Sequence, residues 1–255
     1  MKLSIVIPAY NEEARIGRML SAYTDHFAER YGDAVELIVV VNGSMDRTEA
    51  LARDFEKRFS QVRVLVEPKP IGKGGAIMLG ARAAQGELIG FVDADGATPP
   101  KAFQDLVDRM GEADVAIASR WIEGAVVEPP QPLKRRIASR IFNKLVRFLF
   151  KLKLSDTQCG AKLVRREAMH AVLPRLGVTR WAFDVDLLFQ LRRAQCRLVE
   201  YPTEWHDVEG SQLRIPRASW EMFLAVCRLR LLYSPFRWVV AVYDRTLGAI
   251  IHRPS

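Results

Sequence analysis

Short apolar runs alternate with amphipathic stretches along the first half of the chain. The runs are short enough to be buried strands and cover residues 3–7, 35–41, 62–66, 88–92 and 115–119. Between them, apolar residues recur every three or four positions, as on one face of a helix, at Ile16, Met19, Leu20, Tyr23 and Phe27. Strands that alternate with helices predict an α/β fold, in which a mainly parallel sheet is covered by helices on both faces.

Polar residues follow three of these runs at the points where the strands end. Tyr10-Asn11 follows the first, Asn42-Gly43-Ser44 the second, and Asp93-Ala94-Asp95 the fourth. Ligands of open α/β sheets bind at the carboxyl ends of the strands, so we expect these residues to share one site. Asn11-Glu12-Glu13 also supplies a cap and first-turn acids for the first helix.

Two carboxylates stand one residue apart in Asp93-Ala94-Asp95, directly before Gly96. Such a pair repels itself unless a cation or protons lie between its members. Hard oxygen ligands in a loop suit Mg²⁺ or Mn²⁺, each of which can bridge to a diphosphate. The pair therefore predicts a metal–diphosphate site, with a solvated acidic turn as the alternative.

Gly72-Lys73-Gly74-Gly75 opens the third helix with a glycine-rich segment. It matches neither the GxGxxG dinucleotide fingerprint nor the Walker loop, because Gly74 stands where a Walker loop has Ser or Thr. Lys73 and free backbone N–H groups could still neutralise a phosphate at the helix start. A plain structural turn is the alternative.

From Pro129 onward the chain becomes basic. Eight basic residues and no acidic one fall before Ser155, namely Lys134, Arg135, Arg136, Arg140, Lys144, Arg147, Lys151 and Lys153. An apolar stripe runs through the same segment at Ile137, Ile141, Leu145, Phe148 and Leu152. The pattern predicts one amphipathic helix over about 133–153 that suits an anionic membrane surface. The alternative is a helix that packs its stripe on the domain and solvates its basic face.

The net charge of +8 favours an anionic partner. The basic helix indicates that this partner is a membrane surface or a phosphorylated substrate. Nucleic acid is not expected, because no aromatic-studded basic sheet or reader helix accompanies the charge. Three widely spaced cysteines favour the reducing cytoplasm. No segment is long and apolar enough to span a membrane. The expected organisation is a catalytic domain over 1–215 followed by amphipathic helices over 216–255.

The combination of motifs resembles family 2 glycosyltransferases with the GT-A fold. Ser4 to Glu13 is similar to that family's opening nucleotide-binding strand and turn, and Asp93-Ala94-Asp95 to its DxD metal motif. Within the family the likeness is to dolichyl-phosphate β-glucosyltransferases and other polyprenyl-phosphate glycosyltransferases. It rests on further matching stretches at 72–76, 93–98, 156–163, 180–185 and 209–211.

The resemblance implies roles at two groups of positions. The nucleotide-sugar would be held by Pro8, Tyr10, Glu12, Asn42, Lys73, Asp93 and Arg214, with Asp93 and Asp95 holding a divalent cation, Mg²⁺ or Mn²⁺. The acceptor phosphate would be gripped by Arg120, Arg135 and Ser139. The family usually has two aspartates where this chain has Val41-Asn42, and Asn42 adds an NH₂ donor beside its acceptor oxygen. Uridine is therefore expected, with another base as the alternative.

The expected function is inverting transfer of a sugar, glucose from UDP-glucose, to polyprenyl or dolichyl phosphate. The enzyme would be cytoplasmic and associated peripherally with the inner face of the membrane. An anionic phosphate needs no general base, whereas a hydroxyl acceptor such as diacylglycerol would need one, and Asp184 is then the candidate catalytic residue. The alternative is that Asp184 and Asp186 lie in the first turn of a helix and only interact favourably with the helix dipole. A non-catalytic nucleotide-sugar-binding protein is a further alternative, and the sequence leaves the oligomeric state open.

Overall fold

The strands and helices of the structure follow the predicted α/β alternation. The computed structural model describes residues 1–130, 132–177, 182–206, 215–236, 238 and 240, apart from the side chains of residues 134 and 215–220. The strands are β1 (Leu3–Ala9), β2 (Val35–Asn42), β3 (Val62–Glu67), β4 (Leu88–Phe91), β5 (Val115–Ser119), β6 (Val126–Glu128), β7 (Lys162–Arg165), β8 (Leu198–Pro202) and β9 (Glu204–His206). The helices are α1 (Ile16–Tyr31), α2 (Thr48–Arg58), α3 (Gly72–Ala83), α4 (Pro100–Arg109), α5 (Leu133–Phe150), α6 (Arg166–Val172), α7 (Phe183–Arg193) and α8 (Ile215–Leu232).

The main sheet has the strand order β3-β2-β1-β4-β7-β5-β8. All its neighbouring strands are parallel except β7, which runs antiparallel to β4 and β5. β6 and β9 form a separate parallel pair. The predicted mainly parallel sheet is confirmed, and Trp205 and His206 belong to the short strand β9.

Both faces of the sheet are buried, which explains why its strands read as continuous apolar runs. Ile5 of β1 packs in one layer with Phe27 of α1 and Phe103 of α4. The next residue, Val6, points to the opposite layer, which includes Leu188 of α7. Each fully buried side chain of this size contributes roughly 1.5–3 kcal/mol of hydrophobic stabilisation.

Helix α3 lies unusually close to the sheet. A Cβ at Gly80 would come within 2.4 Å of a Val6 methyl group, so only glycine permits this approach. The close packing fixes α3 against β1 and β2. Its first turn, which carries Lys73, consequently lies at the edge where those strands end.

Helix α5 has apolar residues on two sides, and three residues of the predicted stripe lie on the exposed side. Val146 and Phe150 are buried in the core, while Ile137, Ile141 and Phe148 are 50%, 63% and 81% exposed. The sequence pattern therefore identified the helix correctly but not the face that packs. Leu145 of the predicted stripe is half-buried, and Leu152, which lies beyond the end of α5, is buried in the core.

Helix α8 packs against α5. Its Val226 and Leu229 are fully buried in the same layer as Val146 and Phe150. Among the described residues, no helix has the length and apolar character needed to cross a bilayer.

Candidate active site

The ends of β1 and β2 are joined by a side chain. Asn42, which is 2% exposed, donates a hydrogen bond from Nδ2 to the carbonyl oxygen of Ala9 over 3.1 Å. Because Nδ2 of the Asn42 side chain donates to Ala9, its Oδ1 atom points away from Ala9. Pro8 is buried within β1, and the side chain of Tyr10 is 51% exposed just beyond it.

The loop after β1 is fastened to the loop after β2. The backbone N–H of Asn11 donates to Ser44 Oγ over 3.1 Å, and Asn11 Oδ1 accepts the N–H of Met45 over 2.9 Å. The N–H of Glu12 donates to Thr48 Oγ1 over 2.7 Å. Asn11 holds a left-handed backbone, with φ of 52°, so it is part of this turn and does not cap α1. These bonds give the two loops one fixed geometry.

The carboxylates of Glu12, Asp93 and Asp95 lie close enough at this edge of the sheet to influence one another. Burial raises the pKa of Asp95, and the neighbouring charge of Asp93 adds to that effect. Burial also raises the pKa of Glu12 and outweighs its 2.7 Å ion pair with Arg15, while the charges of Asp95 and Asp93 add further. The acids repel one another, as expected for groups that share a cation.

Lys73 lies against the first of the two predicted metal ligands. Its Nζ is 2.5 Å from Asp93 Oδ1. Burial lowers the pKa of Lys73, but the carboxylates of Asp93 and Asp184 outweigh it and the pKa is raised overall. Lys73 therefore stays an ammonium, a point charge suited to a phosphate.

The donor set fits a divalent cation that is shared with a substrate phosphate. Within the described residues no three His, Cys, Asp or Glu side chains form a cluster that would hold a metal alone. Asp95 Oδ1 accepts the N–H of Ala97 over 2.9 Å, which orients that carboxylate. Mg²⁺ is commonly bound by one or two carboxylates together with phosphate oxygens and waters, which matches Asp93 and Asp95.

Asp184, in the first turn of α7 as predicted, is buried in an ion pair. Its Oδ1 lies 2.5 Å from the Nζ of Lys162, which also donates to the carbonyl oxygen of Cys159 over 2.7 Å. Burial raises the pKa of Asp184, but Lys162 and then Lys73 outweigh it and the pKa is lowered overall. A carboxylate in this state is a weak proton acceptor.

Arg120 is also paired. It contacts Asp156 through Nε at 2.7 Å and through a terminal nitrogen at 3.1 Å, in the bidentate arrangement typical of Arg–carboxylate pairs. Its guanidinium lies 5.3 Å from the ring centroid of Trp205 and 5.7 Å from that of Trp121. The arginine is thus held in a fixed position next to the site.

The structure brings together most of the predicted donor-site residues at the ends of β1, β2 and β4. Arg135 and Ser139 lie one turn apart on α5, both half-buried. Arg214 lies outside the described residues, as do the stretches 178–181 and 207–214. The individual roles of all these residues stay predictions.

Two charged residues of the site were not predicted from the sequence, Lys162 and Asp156. A lysine inside the apolar run Ala161-Lys162-Leu163-Val164 was the available signal for the first, because a buried lysine needs a partner. Gly160 was missed too. A Cβ at that position would lie 2.2 Å from Asp93 Oδ2, so the glycine leaves room for the carboxylate.

Comparison with known proteins agrees with this geometry. The sequence profile described as glycosyl transferase family 2 matches residues 4–173. A dolichyl-phosphate beta-glucosyltransferase of Trichomonas vaginalis is 36% identical over 223 residues, which are 83% of this chain and 66% of that protein. The enzyme of the same name from Homo sapiens is 34% identical over 93% of this chain and 77% of its own length.

Solved structures share the fold. Glucosyl-3-phosphoglycerate synthase from Mycobacterium tuberculosis, crystallised with Mn²⁺, UDP-glucose and glycerol 3-phosphate, superposes with a TM-score of 0.64 and 20% identity, over 90% of this chain and 79% of that one. S. aureus TarS 1-349, with UDP-GlcNAc, gives a TM-score of 0.60 and 16% identity, over 99% and 76% of the two chains. These likenesses confirm the GT-A architecture. With a profile match over most of its length and relatives above 30% identity, the chain belongs to glycosyl transferase family 2.

Proposed function

We propose that the protein transfers glucose from UDP-glucose to polyprenyl or dolichyl phosphate with inversion at the anomeric carbon. An oxygen of the acceptor phosphate attacks that carbon, the bond from the carbon to the diphosphate breaks, and UDP leaves with the electron pair. The names of the relatives support this donor and acceptor.

The observation that carries the proposal is the ion pair of Asp184 with Lys162. A hydroxyl acceptor must lose a proton during attack and needs a base. The structure offers Asp184 in a form with a lowered pKa and with one oxygen already bound, which is poorly suited to that task. A phosphate acceptor is already anionic, so its attack requires no such base.

The donor side uses the edge formed by β1, β2 and β4. Pro8, Tyr10, Glu12 and Asn42 hold the nucleoside, and Lys73 neutralises the diphosphate. Arg214, outside the described residues, folds over the diphosphate. The fixed loop geometry around Asn11 favours binding because little order must be gained when the donor enters.

Asp93 and Asp95 hold a divalent cation, Mg²⁺ or Mn²⁺, together with the diphosphate. When bound, this cation supplies electrostatic stabilisation of the negative charge that develops on the leaving group. Lys73 stays protonated beside Asp93 and adds a second positive charge at the same place. Gly160 keeps the space that the carboxylate of Asp93 needs.

The acceptor lies on the side of Arg120, Arg135 and Ser139. Arg120 is oriented by its ion pair with Asp156. Arg135 and Ser139 follow on α5, one turn apart. Their position on this helix supports an acceptor phosphate bound beside the exposed apolar side chains.

The enzyme binds peripherally to the inner face of an anionic membrane through α5. Leu133, Ile137, Ile141 and Phe148 expose apolar surface on this helix, and Trp238 beyond α8 is 61% exposed. Basic residues accompany them, which favours anionic lipid. This surface lets the enzyme reach an acceptor whose hydrocarbon chain stays in the bilayer.

The test is transfer of labelled sugar from a panel of UDP- and GDP-sugars, with Mg²⁺, Mn²⁺ or EDTA, into mixed vesicles of polyprenyl phosphate and diacylglycerol. We expect glucose from UDP-glucose on polyprenyl phosphate, with loss of product in EDTA. Product on diacylglycerol alone would show a glycolipid synthase and return Asp184 to the role of base. Donor binding without any product would show a non-catalytic binding protein.

A further inference from the structure

A cavity of about 270 Å³ lies between the segment that follows β5 and the first half of α5. We call it the arginine pocket. Its lining includes Arg120, Arg136 and Arg140 together with Trp121, Ile122 and Val127. No acidic side chain is among the described residues that line it, so the pocket is cationic with apolar walls.

The charge in the arginine pocket that is available to a ligand comes from α5. Arg120 already shares its charge with Asp156 in a bidentate pair. Arg136 and Arg140 are both exposed and lie one turn apart, on the same side of the helix. In the described part of the chain, neither of these two has a carboxylate partner.

One of these arginines is also held in place. The guanidinium of Arg140 lies 5.4 Å from the ring centroid of Trp121, within the range of a cation–π contact. An arginine oriented in this way loses less conformational entropy when it binds an anion. Arginine forks suit the oxygens of a phosphate monoester.

The surroundings of the pocket select a phosphate that carries a hydrocarbon chain. Leu133, Ile137 and Ile141 are 68%, 50% and 63% exposed on the same helix, in the turns that carry Arg136 and Arg140. A free phosphate ion would gain nothing from these side chains. A lipid phosphate could place its head in the pocket and its first apolar carbons against them.

Arg120 links the pocket to the donor site electrostatically. Arg120 lines the pocket, and the negative charge of Asp93 is among the influences that raise the pKa of Arg120. Burial opposes that rise and Asp156 is its main cause.

We propose that the arginine pocket binds the phosphate of a lipid phosphate monoester through Arg136 and Arg140, with Trp121 orienting Arg140. This inference rests on the proposed function and deepens it, because it adds two arginines to the acceptor site beyond Arg120, Arg135 and Ser139. The apolar side chains of α5 bind the start of the lipid chain.

The test is a calorimetric titration of the full chain with a short, water-soluble isoprenyl monophosphate, which needs neither turnover nor membrane. Arg136→Gln and Arg140→Gln should each weaken binding at least about tenfold, since each variant loses charge-assisted hydrogen bonds to the phosphate. The control is Arg82→Gln, an exposed arginine on α3 with the same change of charge, and it should bind as the unchanged chain does. If both pocket variants bind as tightly as this control, the proposal is wrong.

Further ligands identify the source of the phosphate. Inorganic phosphate that binds as tightly as the isoprenyl monophosphate would overturn the lipid part of the proposal. Phosphatidylglycerol vesicles that displace the isoprenyl monophosphate with equal affinity would assign the pocket to membrane headgroups and overturn its role with the acceptor. Weak binding of both supports the proposal.

The transfer assay separates failure of the pocket from failure of the proposed function. If the unchanged chain forms no polyprenyl product but binds the isoprenyl monophosphate through Arg140, the function fails and the pocket stands. If it forms product and Arg140→Gln has the acceptor KM of Arg82→Gln, the pocket fails and the function stands. Thermal unfolding of each variant shows that a loss of binding is not a loss of fold.

Discussion

The ammonium of Lys162 and the carboxylate of Asp184 lie 2.5 Å apart and join β7 to α7 inside the protein. Lys162 is fully buried and Asp184 is 6% exposed, so neither charge is compensated by water. The main role of the pair is therefore structural, because it holds α7 against β7. Its chemical consequence is that Asp184 is held as an anion by a fixed cation.

Removing one partner of this pair should destabilise the protein strongly. Asp184→Asn leaves the Lys162 ammonium buried without its counter-charge, and we expect a loss of about 3–5 kcal/mol in the free energy of unfolding. Urea denaturation at neutral pH measures it. The double variant Lys162→Met, Asp184→Leu should recover much of the loss, because apolar residues remove both charges. A fully stable Asp184→Asn variant would contradict the structural role.

The same pair predicts that the free energy of unfolding decreases in acid. The pKa of Asp184 is lowered in the folded state, so its contribution is present above the ordinary value of 3.8 and is lost as pH falls through the folded pKa. Urea midpoints measured from neutral pH downward should decline below about pH 4 in the unchanged chain. Asp184→Asn should lack this part of the decline. Parallel curves for the two proteins would show that another group is responsible.

The carboxylate Asp95 should be essential to metal-dependent transfer but not to folding. Asp95→Asn removes a cation ligand, and we expect turnover to fall at least about a hundredfold. Because it also removes a charge that Asp93 repels, the variant should unfold at a slightly higher temperature than the unchanged chain in EDTA. Asp54→Asn, on the exposed side of α2, is the matched control. Unchanged turnover in Asp95→Asn would exclude the metal assignment.

Asn42 should resist replacement by the aspartate that its family usually has. Asn42→Asp exchanges the Nδ2 donor for an oxygen, which would then face the carbonyl oxygen of Ala9 in a buried position. We expect a loss of about 1–3 kcal/mol in stability, measured by urea denaturation. Asn42→Ala should raise the KM for the donor with little effect on kcat if the amide oxygen binds the base. An unchanged donor KM would contradict that role.

Gly160 should be sensitive to a single methyl group. In Gly160→Ala the new Cβ would lie 2.2 Å from Asp93 Oδ2, so the carboxylate must move. A displacement of about 1 Å at a reacting centre can lower the rate about a hundredfold, which the transfer assay measures. Gly177→Ala is the control, because its Cβ would meet nothing within 4 Å. Equal activities of the two variants would show that Asp93 has room to adjust.

The exposed stripe of α5 should govern association with vesicles. Ile141→Asp replaces a side chain that is 63% exposed, so the fold should be unaffected. We expect binding to anionic vesicles to weaken about tenfold, since burial of such a side chain contributes roughly 1.5–3 kcal/mol. Co-sedimentation with vesicles measures the change. Val66→Asp, on strand β3, provides the control, and equal binding by both variants would refute the membrane surface.

The sequence predicted the central strands well because burial on both faces leaves an unbroken apolar run, as at β1 and β2. It failed at β7, because Lys162 interrupts the run and reads as a surface residue until its partner is known. Asn11 was also misjudged. Its side chain binds the loop at Met45, 34 residues away, and α1 begins only at Ile16.

The candidate site divides in the same way. The pair Asp93 and Asp95 is visible in the sequence, because both residues are neighbours along the chain. The pairs Lys162–Asp184 and Arg120–Asp156 join residues 22 and 36 positions apart. Nothing in local spacing relates such partners, since they are brought together only by the packing of the sheet.

The reversed direction of β7 has a consequence for how the site can vary. A parallel strand delivers to the catalytic edge the residues that follow it, whereas β7 delivers those that precede it, at 156–161. An insertion before β7 would thus reach the same cleft as an insertion after β4 or β5. Evolution could reshape the two rims independently, because no single loop has to serve both.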